Sequence, residues 1–215
     1  MSTDRLVDGL AEQDVLERLI DEVKPTMPPE VRGLHYLLAT PFRYGYVKPT
    51  RFRRAHERPG IFYGSESLPT VVAETAYWRM RFFTASPGTR LNQTTVEYLA
   101  FSVPVKVDRA LDLTEPPLVA GRTSWTDPVD YGPCQQLAQQ ARRIGTQLIR
   151  YESVRDPATG RNAALFDPGA FQKPVPNSAG TWHFRFAGRK LTAFAALPSR
   201  QRHDFTFEQF GLTPP

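Results

Sequence analysis

The spacing of apolar positions changes several times along the chain, and each change predicts an element. Over residues 3–23, Leu16, Leu19, Ile20 and Val23 share one face of a helix, and Pro25 with the Pro-rich segment behind it stops that helix. Packing of this helix on the body is one reading; a dimer or partner contact, leaving a homodimer open, is the other. Residues 35–40 (HYLLAT) read as a strand, and Ile61-Phe62-Tyr63 as a short β-rich run closed by Gly64. Ser67 then caps a helix with Pro69 in its first turn, and Val72, Ala76, Met80 and Phe83 recur at helical spacing. After a loop at 84–94, two strands are expected at 95–103 and 105–113, where Val103, Val105, Val107, Leu111 and Leu113 alternate with Lys106, Asp108 and Asp112.

Residues 114–133 are rich in Pro, Gly and Thr and form a loop long enough to cover a site. A helix over 133–144 follows, with Leu137, Ala138, Ala141 and Ile144 at helical spacing and Cys134 as a small core residue. Strands over 147–151 and 163–166 come next, then a hairpin built on Trp182, Phe184 and Phe186 and closed by Leu191–Leu197. Phe205, Phe207, Phe210 and Leu212 are too apolar for a free tail. The pattern predicts an α+β fold, a compact single domain with mixed or antiparallel central sheets flanked by helices. Residues 1–34 read as an acidic helical extension, 35–197 as the body and 198–215 as a tail docking on it.

Charge narrows the partners without choosing one. The net charge is +5, but residues 1–23 carry seven acids against two bases, so the remainder carries +10. A basic body suits nucleic acid, an anionic small molecule or an acidic protein. The single cysteine, Cys134, excludes an internal disulfide, no apolar run reaches membrane-spanning length, and the acidic start lacks a signal peptide's apolar core. A cytoplasmic protein away from the membrane is the expectation.

Candidate chemistry gathers in residues 43–83. Arg43 and Arg51 with Tyr44, Tyr46 and Phe52 have the makings of a cationic, stacking-capable pocket, because guanidinium groups fork onto phosphate and rings stack on heterocycles; a solvated arginine loop is the alternative. Glu74 has Val71 one turn before it and Trp78 one turn after, and a carboxylate in apolar company needs a partner or a purpose. Arg51, Arg53 and Arg54 are its nearest candidate partners. Ser65 and Ser67 lie near Glu74, but Gly64-Ser65-Glu66-Ser67 is no nucleophile elbow and no histidine is singled out to join it. The chain lacks GxGxxG, GxxxxGK[ST], HExxH and CxxC, and His35, His56, His183 and His203 lack metal-ligand spacing, so no metal is expected. Taken singly, Tyr63 reads equally as a core ring, Glu74 as an arginine-paired surface acid and Ser153 as a loop cap.

Together these residues resemble the RES domain family, named for an arginine, a glutamate and a serine. The motif stands as Arg51-Phe52, Gly60-Ile61-Phe62-Tyr63, Ala73-Glu74, and far downstream Tyr151-Glu152-Ser153-Val154-Arg155-Asp156-Pro157 with Arg161-Asn162, within roughly residues 35–190. The resemblance implies a fold similar to ADP-ribosyltransferases and a toxin of a bacterial toxin–antitoxin pair that consumes NAD. It also implies an Xre-type helix-turn-helix antitoxin, which would itself supply any DNA contact, so no direct nucleic-acid partner is expected. In that setting Glu74, Arg51 and Ser153 are the catalytic set. Arg43 and Arg51 would meet the pyrophosphate, Tyr63 and Tyr44 the nicotinamide end, and Ser153 the ribose or phosphate. Such a set suits N-glycosidic cleavage: nicotinamide leaves NAD as a neutral molecule, so the demand is one carboxylate beside an oxocarbenium-like sugar. Water, phosphate and a protein side chain stay open as acceptors. A basic nucleic-acid-binding module and an inert scaffold stay open as other classes.

Overall fold

A computed structural model describes residues 9–85, 91 and 95–215. In chain order the elements are α1 (Leu10–Val23), α2 (Tyr36–Arg43), β1 (Phe62–Ser65), α3 (Leu68–Thr84), β2 (Val96–Ser102) and β3 (Ala110–Asp112). They continue with α4 (Arg122–Trp125), α5 (Gly132–Arg143), β4 (Leu148–Glu152), β5 (Arg161–Leu165), β6 (Asn177–Ala187), β7 (Lys190–Ala195) and β8 (Arg202–Thr206). The fold is α+β with two four-stranded sheets. The first has the order β1-β5-β4-β3, antiparallel except for the β3–β4 pair; the second, β2-β6-β7-β8, is antiparallel throughout.

Each sheet buries a different kind of surface. Trp182, Phe184 and Phe186 of β6 pack with Leu191 and Ala193 of β7 against the stripe Val72, Ala76, Met80 and Phe83 of α3. Phe205, Phe207 and Phe210 complete this core, and β8 extends the sheet, so the tail docks as its aromatics require. On the first sheet, Ile149, Tyr151 and Ala164 face Phe52, Cys134, Ala138 and Ala141. Its other side turns Leu165, Phe62 and Leu148 toward Leu38, Ala39 and Phe42 of α2.

Four expectations change. Residues 36–43 are helical: Leu38, Ala39 and Phe42 are the buried positions, which is helical spacing, and the His35 ring accepts from Leu37 N at 3.3 Å to cap the turn. The second of the two strands expected, at 105–113, shortens to Ala110–Asp112. Pro104 can give no ladder hydrogen bond, Val105 keeps only an isolated bridge to Phe171, and the chain crosses from the second sheet to the first, where three residues pair with β4. Ile144 lies just past α5 and is exposed. The apolar side expected for the first helix is likewise exposed at Leu19 and Val23; the part of that helix over residues 3–8 and part of the 84–94 loop lie outside the described residues.

Candidate active site

Ser67 sets the start of the site. Its Oγ accepts from Thr70 N at 3.3 Å, and Pro69 occupies the first turn where its missing N–H costs nothing, so α3 begins directly after β1. One side of α3 goes into the second sheet's core. Residues Val71, Glu74, Thr75, Trp78 and Phe82, three or four apart, are left on the other side. They line a cavity of about 660 Å³ that is also lined by Arg51, Tyr63, Tyr131 and Arg155.

Beneath Glu74 lies a polar row across three strands of the first sheet. β5 places Asn162 opposite Ser65 on β1 and opposite Tyr151 on β4. Ser65 Oγ donates to Asn162 Oδ1 at 2.6 Å, which fixes the amide with its nitrogen outward, and Asn162 Nδ2 donates to Glu74 Oε1 at 2.7 Å. Ser153 Oγ donates to the same oxygen at 2.8 Å while accepting from the backbone N–H groups of Arg155 and Asp156 at 3.3 and 3.0 Å. Oε1 is thus held twice, and Oε2 has no protein partner among the described residues. No arginine pairs with Glu74 among the described residues, contrary to the expectation from Arg51, Arg53 and Arg54. Arg53 is instead buried, donating to the carbonyls of Tyr46, Lys48 and Arg54 and shaping the loop from within. Exposed Arg54 supplies its backbone N–H to Glu57 Oε2.

The turn that carries Ser153 is locked to the head of α3. Thr70 Oγ1 donates to Asp156 Oδ2 at 2.8 Å, and Ser153 N donates to Gly160 O at 2.8 Å. A side chain on Gly160 would collide with both Thr70 Oγ1 and Asp156 Oδ2, so only glycine lets the chain pass there. Buried at 1% exposure, Ser153 does not line the cavity; it grips Glu74 from behind instead of facing a ligand.

Arg51 and Tyr63 reach the cavity. Arg51 Nη1 donates to Trp125 O at 2.8 Å, and its guanidinium carbon lies 4.8 Å from the centre of the Tyr131 ring, so the long loop does contribute a wall. Tyr63 turns its ring to the cavity and tucks its hydroxyl between Thr50 Oγ1 at 2.7 Å and Phe52 N at 3.2 Å. Burial pushes this phenol up to about 12. Burial, and then the nearby Glu74 charge, also raise Tyr151. Both tyrosines therefore stay neutral near pH 7. Arg43 and Tyr44 are not brought to the cavity: Arg43 Nε donates to Pro25 O at 2.6 Å and its guanidinium stands over Tyr44, because the residues before it are helical and aim it at the N-terminal segment. The sequence motif contains both Asn162 and Arg155 but gave neither a role; the Arg155 guanidinium carbon is 3.8 Å from the Tyr77 ring centre, with Nη2 donating to Pro128 O. Asn162 did carry a signal: alternation places it on the buried face of β5 with Ala164, and a buried amide must be hydrogen-bonded. With Arg51, Arg79 and Arg155 on its walls against Glu74, the cavity suits an anionic ligand.

The RES domain family model matches residues 27–187 of the 215-residue chain. The chain belongs to the RES domain family. That match includes every member of the Glu74, Ser153 and Asn162 cluster and begins before the first residue of α2. No curated protein matches the chain. Membership is consistent with NAD-related enzymatic chemistry in a toxin–antitoxin setting. Among the described residues, no helix of this RES domain protein is long and apolar enough to cross a membrane.

Proposed function

We propose that this RES domain protein is the toxin of a bacterial toxin–antitoxin pair and cleaves the nicotinamide–ribose bond of NAD. The observation that supports this reading most is the state of Glu74, a carboxylate without an arginine partner, gripped through one oxygen and open through the other, in a cavity whose other charged lining residues are Arg51, Arg79 and Arg155. The C–N bond breaks with its electron pair going to the ring nitrogen, and neutral nicotinamide leaves. The positive charge developing at the ribose carbon meets Glu74, already oriented by Ser153 and Asn162, so little reorganisation is needed at the moment of reaction. An oxygen of water or phosphate then bonds to that carbon, water losing a proton in the step.

Arg51 faces the diphosphate and Tyr63 the nicotinamide ring. Ser153 and Asn162 are positioning residues. NAD is the substrate, no metal takes part, and the protein works in the cytoplasm under the control of an Xre-type helix-turn-helix antitoxin. The pairing of one carboxylate with a split α+β cavity accords with an ADP-ribosyltransferase-like architecture. Transfer of ADP-ribose to a protein is the alternative outcome of the same bond cleavage.

Brief induction of the wild type and of Glu74→Ala, with cellular NAD, small products and protein-linked ADP-ribose followed together, tests the reading. Rapid NAD loss with wild type alone, yielding ADP-ribose or its phosphate, is expected. A labelled protein band with little NAD loss makes the protein a transferase, a folded and fully active Glu74→Ala removes Glu74 from the chemistry, and unchanged NAD without label returns the basic binding module.

A further inference from the structure

The helix face that carries Glu74 does not end there. Trp78 and Phe82 continue it at one-turn intervals, so at 1.5 Å per residue the lining runs about 12 Å along α3 beyond the carboxylate. This continuation is aromatic and solvent-exposed: Trp78 is 51% and Phe82 64% accessible. Across from it stands Tyr98 of β2, itself part of the cavity wall and braced edge-on by Phe184 at 5.1 Å between ring centres. Trp78 is braced as well, with Tyr77 edge-on at 5.2 Å and the Arg81 guanidinium carbon 5.3 Å from its ring centre. Large exposed rings held in place at a cavity mouth call for an occupant.

The charge beside these rings indicates what kind. Arg79 lines the same wall; Nε has no acceptor, and its Nη1 contact to Tyr98 Oη is long at 3.4 Å. No carboxylate pairs with it among the described residues. A cation flanked by flat rings, about one to two helical turns along α3 from Glu74, fits the phosphate bridge and second base of a dinucleotide. We propose that Trp78 and Tyr98 form the subsite for the second nucleoside, which makes the enzyme select dinucleotides over mononucleotides. This rests on the NAD-cleaving reading above and extends it from the reacting half of the substrate to the other half.

The test compares NAD with nicotinamide mononucleotide, which carries the same scissile bond without the second nucleoside, in wild type, Trp78→Ala and Trp78→Phe. A base stacked on an aromatic ring is worth about 5- to 150-fold, so Trp78→Ala should lower kcat/KM for NAD by a factor in that range. Turnover of the mononucleotide should stay within about twofold, and Trp78→Phe should restore most of the loss. Inhibition by adenosine monophosphate, which carries the second nucleoside alone, should weaken in step with the loss on NAD. Equal losses on both substrates, no loss on NAD, or unaltered inhibition by the monophosphate would overturn the subsite while leaving the NAD-cleaving reading intact. Wild type that cleaves neither substrate would sink that reading and this inference with it.

Discussion

On the second sheet Trp182, Phe184 and Phe186 turn their rings to one side, and what they meet is apolar: the stripe of α3 and the aromatics of the tail. On the first sheet Ser65, Asn162 and Tyr151 stand side by side on three strands, and above Asn162 lies a carboxylate. The two surfaces share α3, which gives one face to each. Area removed from water stabilises the first kind of surface whatever the detailed geometry. The second kind gains little net stability from each hydrogen bond and loses heavily if any partner is missing, so it persists only as a complete set. Glu74 sits between them: the aromatic core fixes the helix, and the polar row fixes the carboxylate.

The largest effect expected from separating the two is on stability. Phe184 is buried within the aromatic core, so Phe184→Ala should cost about 3–5 kcal/mol, which urea unfolding would measure. If the cost is under about 1 kcal/mol, the second sheet is not the foundation of α3.

Asn162→Ala should invert that balance. It removes one of the two donors to Oε1 and leaves Ser65 Oγ without its acceptor, a stability cost of about 1–2 kcal/mol. A carboxylate free to swing by about 1 Å should lose about a hundredfold in turnover. Steady-state cleavage of NAD should show this mainly in kcat, since Asn162 positions Glu74 and does not anchor the diphosphate. A loss confined to KM would move Asn162 into the binding set.

The aromatic half of this architecture was legible from the sequence, because apolar periodicity reports burial directly. The stripe Val72, Ala76, Met80 and Phe83, the β6–β7 hairpin and the docking tail follow from it. Glu74 was visible for the converse reason, as a charge in apolar company. Its true partners were not, because Ser153 and Asn162 lie 79 and 88 residues away, and only the pairing of β1 with β5 and β5 with β4 brings them beneath it. Sequence proximity favoured arginines instead and also drew in Arg43 and Tyr44, which helix α2 turns away from the cavity. The strand expected at 35–40 failed on length: six residues of mixed propensity cannot separate a strand from two helical turns without the buried positions.

At the solvent edge of the polar sheet, the same logic gives a smaller effect. Arg150 on β4 reaches Glu66 Oε1 at 2.5 Å and Asp112 Oδ2 at 2.9 Å, tying the turn before α3 to the neighbouring strands. The hydrogen bonds from Arg150 hold the Glu66 carboxyl below its ordinary value of 4.5. A depressed folded-state value means that the pair's contribution is complete above the ordinary value and is lost as pH falls through the lowered one. With Glu66 side chain 49% exposed, screening limits the effect to under about 1 kcal/mol. Wild type and Glu66→Gln should therefore differ slightly in thermal midpoint at pH 7 and converge at acid pH. A gap that persists at low pH would mean that Glu66 acts through packing of the turn, and the edge of the polar sheet would then resemble the aromatic one.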